Sequence, residues 1–181
     1  MTKTKLLAAA GIVAGLSVAA LPLTSYAAEN VNINVTVGTG LQFSVDANTV
    51  SIANIASGDI DETMTTTATV STNNPTGYKI TVIDADTSNA LTSGTGSSAY
   101  TIPAITGSTL KAGTAGWGIK GGTQTNYAAV PASNGTPLTL STVNEPKDHQ
   151  ATTFHYGVAT SPTQHSGTYT DTIIFTATTN N

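Results

Sequence analysis

The sequence predicts an all-β chain: an antiparallel, immunoglobulin-like β-sandwich of about eight or nine short strands, set behind an N-terminal signal helix. Three observations lead there. Apolar residues recur with a period of two almost everywhere after residue 28, which is the period of a strand with one buried face. No segment of that part shows the 3.6-residue period of an amphipathic helix. Thr is the commonest residue, at 36 of 181, and β-branched side chains suit strands better than helices.

The elements follow in order. Lys3 and Lys5 precede an apolar run, Leu6 to Leu21, that Pro22 ends. Ser25-Tyr26-Ala27 then offers the small-x-small pattern of a signal-peptidase site, with cleavage after Ala27 or Ala28. The apolar run is shorter than the roughly 20 residues a membrane span needs. Residues 1–28 therefore read as a signal peptide and 29–181 as a single domain, exported and without a membrane span of its own.

Val31, Ile33, Val35 and Val37 alternate with Asn32, Asn34 and Thr36, as a strand with one buried face would. Leu41, Phe43 and Val45 form a second such set, and Val50 with Ile52 a short third. Met64, Thr66, Ala68 and Val70 share one face. The cluster Asn73-Asn74-Pro75-Thr76-Gly77 is a turn, and Tyr78, Ile80 and Val82 follow it on one face. Residues 84–150 are rich in Gly, Ser, Thr and Pro. Their apolar islands are Tyr100-Thr101-Ile102, Trp117-Gly118-Ile119 and Leu138-Thr139-Leu140, which predict short strands between long loops. Order returns with Phe154, Tyr156 and Val158. Finally Tyr169, Asp171, Ile173, Phe175 and Ala177 alternate against Thr170, Thr172, Ile174 and Thr176.

Composition removes several function classes. After residue 28 there are ten Asp and Glu against four Lys and no Arg, a net charge of −6. A nucleic-acid partner is not expected, because phosphate contacts need basic side chains. No Cys is present, so disulfide scaffolds and thiolate zinc sites are excluded. No Gly-x-Ser-x-Gly turn exposes a nucleophile. His149, His155 and His165 lie in unremarkable loop and strand positions, and the acidic stretches at 59–62 and 84–86 carry no signature of a facing carboxylate pair. A non-enzymatic protein is expected.

Two constellations stand out. Asp84, Asp86 and Asn89 present hard oxygen ligands in one loop, and calcium is the cofactor such a loop would take. The same pattern also suits a solvated turn held by Asx hydrogen bonds. Tyr100, Trp117 and Tyr127 lie among glycines in the loop-rich middle, as candidate anchors for a sugar or protein partner. The competing assignment places Trp117 and Ile119 in the core.

Two stretches carry a resemblance. Pro75-Thr76-Gly77-Tyr78-Lys79-Ile80-Thr81-Val82 resembles a strand of WxL-type surface domains. His165-Ser166-Gly167-Thr168-Tyr169-Thr170-Asp171-Thr172-Ile173-Ile174-Phe175 resembles the last strand of that group, and is similar to the last strand of spore-coat-U and fimbrial-type sandwiches. The Trp-x-Leu tripeptides of the WxL group are absent; Tyr78 and Phe175 stand where the tryptophans would. The resemblance implies a secreted bacterial β-sandwich, associated with the cell envelope through a cell-wall polymer or other surface proteins, in adhesion or as a structural module. The alternative is a surface-filament subunit that self-associates by strand addition, with Val31 to Val37 as the added strand. A secreted carbohydrate-active enzyme is the third reading.

Overall fold

The computed structural model describes residues 33–52, 55–94 and 99–181. The signal segment, with Ala27 and Ala28, lies outside the described residues. The chain divides between Val37 and Gly38. In the first part, residues 33–37 belong to no helix or strand, join no ladder, and are exposed throughout. Ile33, Val35 and Val37 are 83%, 79% and 78% exposed. The expected strand with a buried face is thus corrected over 33–37. Alternation decides which face is apolar, but burial needs a neighbouring strand and an opposing face, which a sequence period does not supply.

From Gly38 onward the described residues are all-β, without a helix. The strands are β1 (Leu41–Val45), β2 (Ile60–Asp61), β3 (Thr65–Thr72), β4 (Tyr78–Asp84), β5 (Leu91–Ser93), β6 (Tyr100–Ile102), β7 (Gly116–Gly121), β8 (Gln124–Ala128), β9 (Leu138–Val143), β10 (Lys147–Ala159) and β11 (Ile173–Thr179). They pair antiparallel in three groups. The larger sheet runs β1-β3-β10-β7-β8, with β2 also on β10; the second runs β11-β4-β9; β5 and β6 form a two-stranded ribbon. Residues 50–52 form no strand, and Val50 and Ile52 instead pack half-buried against the core.

The period-two pattern does what it predicts in the central strands. Thr66, Ala68, Val70 and Thr72 of β3 are buried on one face, as are Tyr78, Ile80 and Val82 of β4. Phe154, Tyr156 and Val158 of β10 join them, and so do Trp117 and Ile119 of β7 and Leu140 of β9. One apolar cluster therefore takes side chains from both sheets, an arrangement consistent with a β-sandwich. The loop-rich middle is not outside it: β7 and β8 complete one sheet and β9 the other.

The edges are less well covered. Six strands, counting the short β2, face three, and β1 touches β11 at one side of the molecule. Leu41 and Phe43 of β1 and Ile173, Phe175 and Ala177 of β11 are only partly buried. Phe43, Ile173 and Phe175 read as core in the sequence, but each stands on a strand with a neighbour on one side only.

The turn before β4 shows how local chemistry sets the register. Gly77 N–H donates to the Asn74 carbonyl at 2.9 Å, closing a four-residue turn with Pro75 at its second position. Gly77 has φ of 76°, where a Cβ would collide with the Val143 carbonyl. Asn74 Nδ2 donates to the carbonyls of Gly77 (2.8 Å) and Asn180 (2.9 Å). Asn180 Nδ2 in turn donates to the carbonyls of Thr76 (2.8 Å) and Val143 (2.9 Å). These two amides clasp the end of β11 to the start of β4 and the end of β9.

Candidate cation site

The opposite end of β4 carries the only cluster of three acidic side chains found among the described residues. Asp84 closes β4, Asp86 follows in the loop, and Asp171 precedes β11. Ile173 pairs with Asp84 across the ladder, so the lead-in to β11 passes beside the end of β4. One carboxylate oxygen from each of Asp84, Asp86 and Asp171 lies within 4.8 Å of the others.

Backbone amides fix each carboxylate. Asp84 Oδ1 accepts from the Asp86 N–H at 2.9 Å, Asp86 Oδ1 from the Ser88 N–H at 2.6 Å, and Asp171 Oδ1 from the Thr172 N–H at 2.7 Å. The frame beneath them is also bonded: Asp84 N–H to the Pro131 carbonyl, Ala85 N–H to the Thr172 carbonyl, and Ser133 N–H to the Asp86 carbonyl. Asp84 is fully buried, and the second oxygens of Asp84 and of Asp171 are buried without a hydrogen-bond partner. The contacts between basic and acidic side chains among the described residues, Lys147–Glu145 and His149–Asp148, lie elsewhere. Burial and the facing carboxylates of Asp84 and Asp86 push Asp171 up to about 7.

A pH dependence follows. Between about pH 4 and pH 7 the folded chain holds a proton on Asp171 that the unfolded chain has lost, so stability falls as pH rises through that window. In EDTA the melting temperature is expected to be lower at pH 8 than at pH 5.5, and Asp171→Asn should flatten that difference. Thermal melts of both proteins across the range check this.

The sequence pointed to Asp84 and Asp86 here, with Asn89. Asn89 is half-buried; its Nδ2 donates to the Val130 carbonyl at 3.1 Å and its carbonyl accepts the Trp117 indole N–H at 2.9 Å. Sequence reasoning missed Asp171, 87 residues from Asp84. The available signal was a carboxylate in phase with the inward set of Ile173, Phe175 and Ala177.

The three candidate aromatics do not form one surface. Trp117 is 4% exposed and Tyr127 5%, both within the fold. Tyr127 packs its ring over Gly157, where a Cβ would stand, and Lys120 Nζ lies 4.2 Å from the ring centre. Burial and the neighbouring Glu62 push its hydroxyl up to about 12. With Glu62, Leu110 and Asn126 it lines a shallow depression of about 250 Å³. Tyr100 is 42% exposed, and its ring stacks on His165 with centroids 3.8 Å apart. Among the three, Tyr100 alone offers a face to a partner. Comparison with protein-family models, with curated proteins and with solved structures finds no match for this chain.

Proposed function

We propose that this chain is a secreted, non-enzymatic cell-surface module of immunoglobulin-like architecture, and that it makes its contacts by strand addition between copies. The exposed segment Ile33–Val37 carries this reading. Three large apolar side chains on one alternating segment stand in solvent with no ladder partner. Such a segment is free of Pro and charge, and nothing in it opposes pairing with another sheet edge.

The acceptor in this reading is the outer edge of β11, the last strand of the three-stranded sheet. A strand laid there from a second copy would extend the narrower sheet. Its apolar face would cover Phe43 and Phe175, which are half-buried now. Backbone pairing would supply affinity and the alternating valines and isoleucine would supply register. Export rests on the Lys3/Lys5 start and the Ala27/Ala28 site, and the envelope location on the resemblance of the β4 and β11 stretches to surface domains.

Sedimentation and electron microscopy of concentrated protein test this. The wild type is expected to form oligomers or filaments, and Val35→Asp to remain monomeric with an unchanged melting temperature. A wild type that stays monomeric at high concentration removes strand addition. Pelleting with purified cell walls, measured in parallel, tests the envelope location separately.

A further inference from the structure

We infer that Asp84, Asp86 and Asp171 form a divalent-cation site and that calcium is the ion it takes. The inference is independent of strand addition. Convergence of three carboxylates within 4.8 Å is the first observation. Acidic clusters also occur without ions, so the second observation decides. Asp84 is fully buried, yet no N–H or hydroxyl group donates to its Oδ2, and the side chain it faces is a second carboxyl, that of Asp171. A buried carboxylate oxygen without a donor is costly unless a positive charge meets it. No Lys, Arg or His is paired with the cluster among the described residues. With all three carboxylates ionised, a bound cation supplies both the compensating charge and a partner for the buried oxygens.

The donor set selects the ion. All three side chains offer hard oxygens, and the site contains no sulfur or imidazole, which turns it away from zinc and copper. Calcium accepts six to eight oxygens in flexible geometry, including backbone carbonyls and water. A loop that contributes Asp84 and Asp86, joined by the lead-in to β11 that contributes Asp171, suits that tolerance. Magnesium demands a near-ideal octahedron and holds its water more tightly. Each aspartate is already oriented through Oδ1 by a backbone N–H, so little reordering is needed on binding.

The site also has a structural consequence. It joins the end of β4 to the start of β11, whereas the Asn74–Asn180 clasp joins their other ends. Thr170, one residue before Asp171, is bridged to Thr92 of β5 by two backbone hydrogen bonds of 3.0 Å. A cation at Asp171 therefore steadies the ribbon of β5 and β6 as well as the edge strand.

Calorimetry of the EDTA-treated, purified full chain with CaCl2 tests the inference, with melting measured alongside. One binding event is expected, with a Kd of about 10⁻⁴–10⁻³ M as in extracellular calcium modules, and a melting temperature that rises with CaCl2. Asp171→Asn should fold, melt in EDTA no lower than the wild type, and bind calcium at least about tenfold more weakly. Asp86→Asn, on the exposed member, gives the same readout should Asp171→Asn fail to fold. Asp148→Asn, at an exposed carboxylate away from the cluster, should keep the wild-type response. No heat and no melting shift up to about 10 mM CaCl2, well above the expected Kd, would overturn the site. So would wild-type calcium affinity in both cluster variants. Tighter binding of MgCl2 than of CaCl2 would overturn the choice of ion.

Discussion

Phe154→Ala is expected to destabilise the folded chain by about 3–5 kcal/mol, the usual range for a buried phenylalanine cut to alanine. Phe154 is fully buried in β10, the strand that holds the larger sheet together. It faces Thr66 of β3 on one side and Gly121 of β7 on the other. Its ring stacks on Phe175 of the opposite sheet, with centroids 5.4 Å apart and planes at 25°. Truncation removes contacts in both sheets at once, and strands paired on both sides have little freedom to close the cavity. A loss of this size corresponds to a fall in melting temperature of roughly 10 °C or more for a domain of this length. Phe175→Ala should cost clearly less, because Phe175 stands on the outermost strand and is only partly buried. Denaturant unfolding of both variants, at a concentration where the chain is monomeric, decides the matter. Equal losses would mean that the β11 edge is covered in solution.

Gly77→Ala should be the most damaging change of a single methyl group, at about 3 kcal/mol or more. Two effects combine. The backbone at Gly77 has φ of 76°, a left-handed conformation that costs an L-residue roughly 1–2 kcal/mol. The added Cβ also meets backbone, not a yielding side chain: the Val143 carbonyl, and the Glu145 amide nitrogen at 2.6 Å. Relief requires β9 to move away from β4, which would loosen the Tyr78–Val143 pairing and break the hydrogen bond from Asn180 to the Val143 carbonyl. A control is Gly113→Ala, also at positive φ (78°) but with nothing within 4 Å of the new Cβ. It should show the conformational cost alone. Melting curves of the two variants separate strain from collision, and equal curves would show that the loop after β9 gives way easily.

The inner strands were legible from the sequence because their burial depends on alternation alone. β3, β4 and β10 each have neighbours on both sides, so every inward residue finds cover, and Ala68, Ile80 and Phe154 are fully buried as their phase requires. The same alternation misleads at the margins. Ile33, Val35 and Val37 have the phase of a core strand and stand in solvent, because phase is local and cover is not. Trp117 illustrates the opposite case. Glycines around it made it a candidate anchor in the loop-rich middle, but Gly118 lies against the Ala128 carbonyl and Ile105, and Gly116 against Ile105, so these glycines mark close packing. The candidate cation site was half legible. Asp84 and Asp86 are neighbours in sequence, whereas Asp171 reaches them only through the pairing of β4 with β11, which no local pattern encodes.

The wide sequence separation of the paired strands has a consequence for the time order of folding. β4 finds one neighbour in β11, with Thr81 and Thr176 separated by 95 residues. β3 finds its inner neighbour, β10, at a separation of about 80 residues, as in Ser71 to Asp148. A chain that emerges from a ribosome or a translocon N-terminus first must therefore hold two strongly alternating strands, β3 and β4, with incomplete pairing until nearly all of it has appeared. Loops of that length are slow to close, and chains dominated by such pairings fold in about milliseconds to seconds, against microseconds for helical bundles. Over that interval the apolar faces of β3 and β4 are open to other chains. The Asn74–Asn180 clasp, which spans 106 residues, can form only after β11 has docked. Its two amides thus act last, as the latch on a fold whose commitment comes from its final strand.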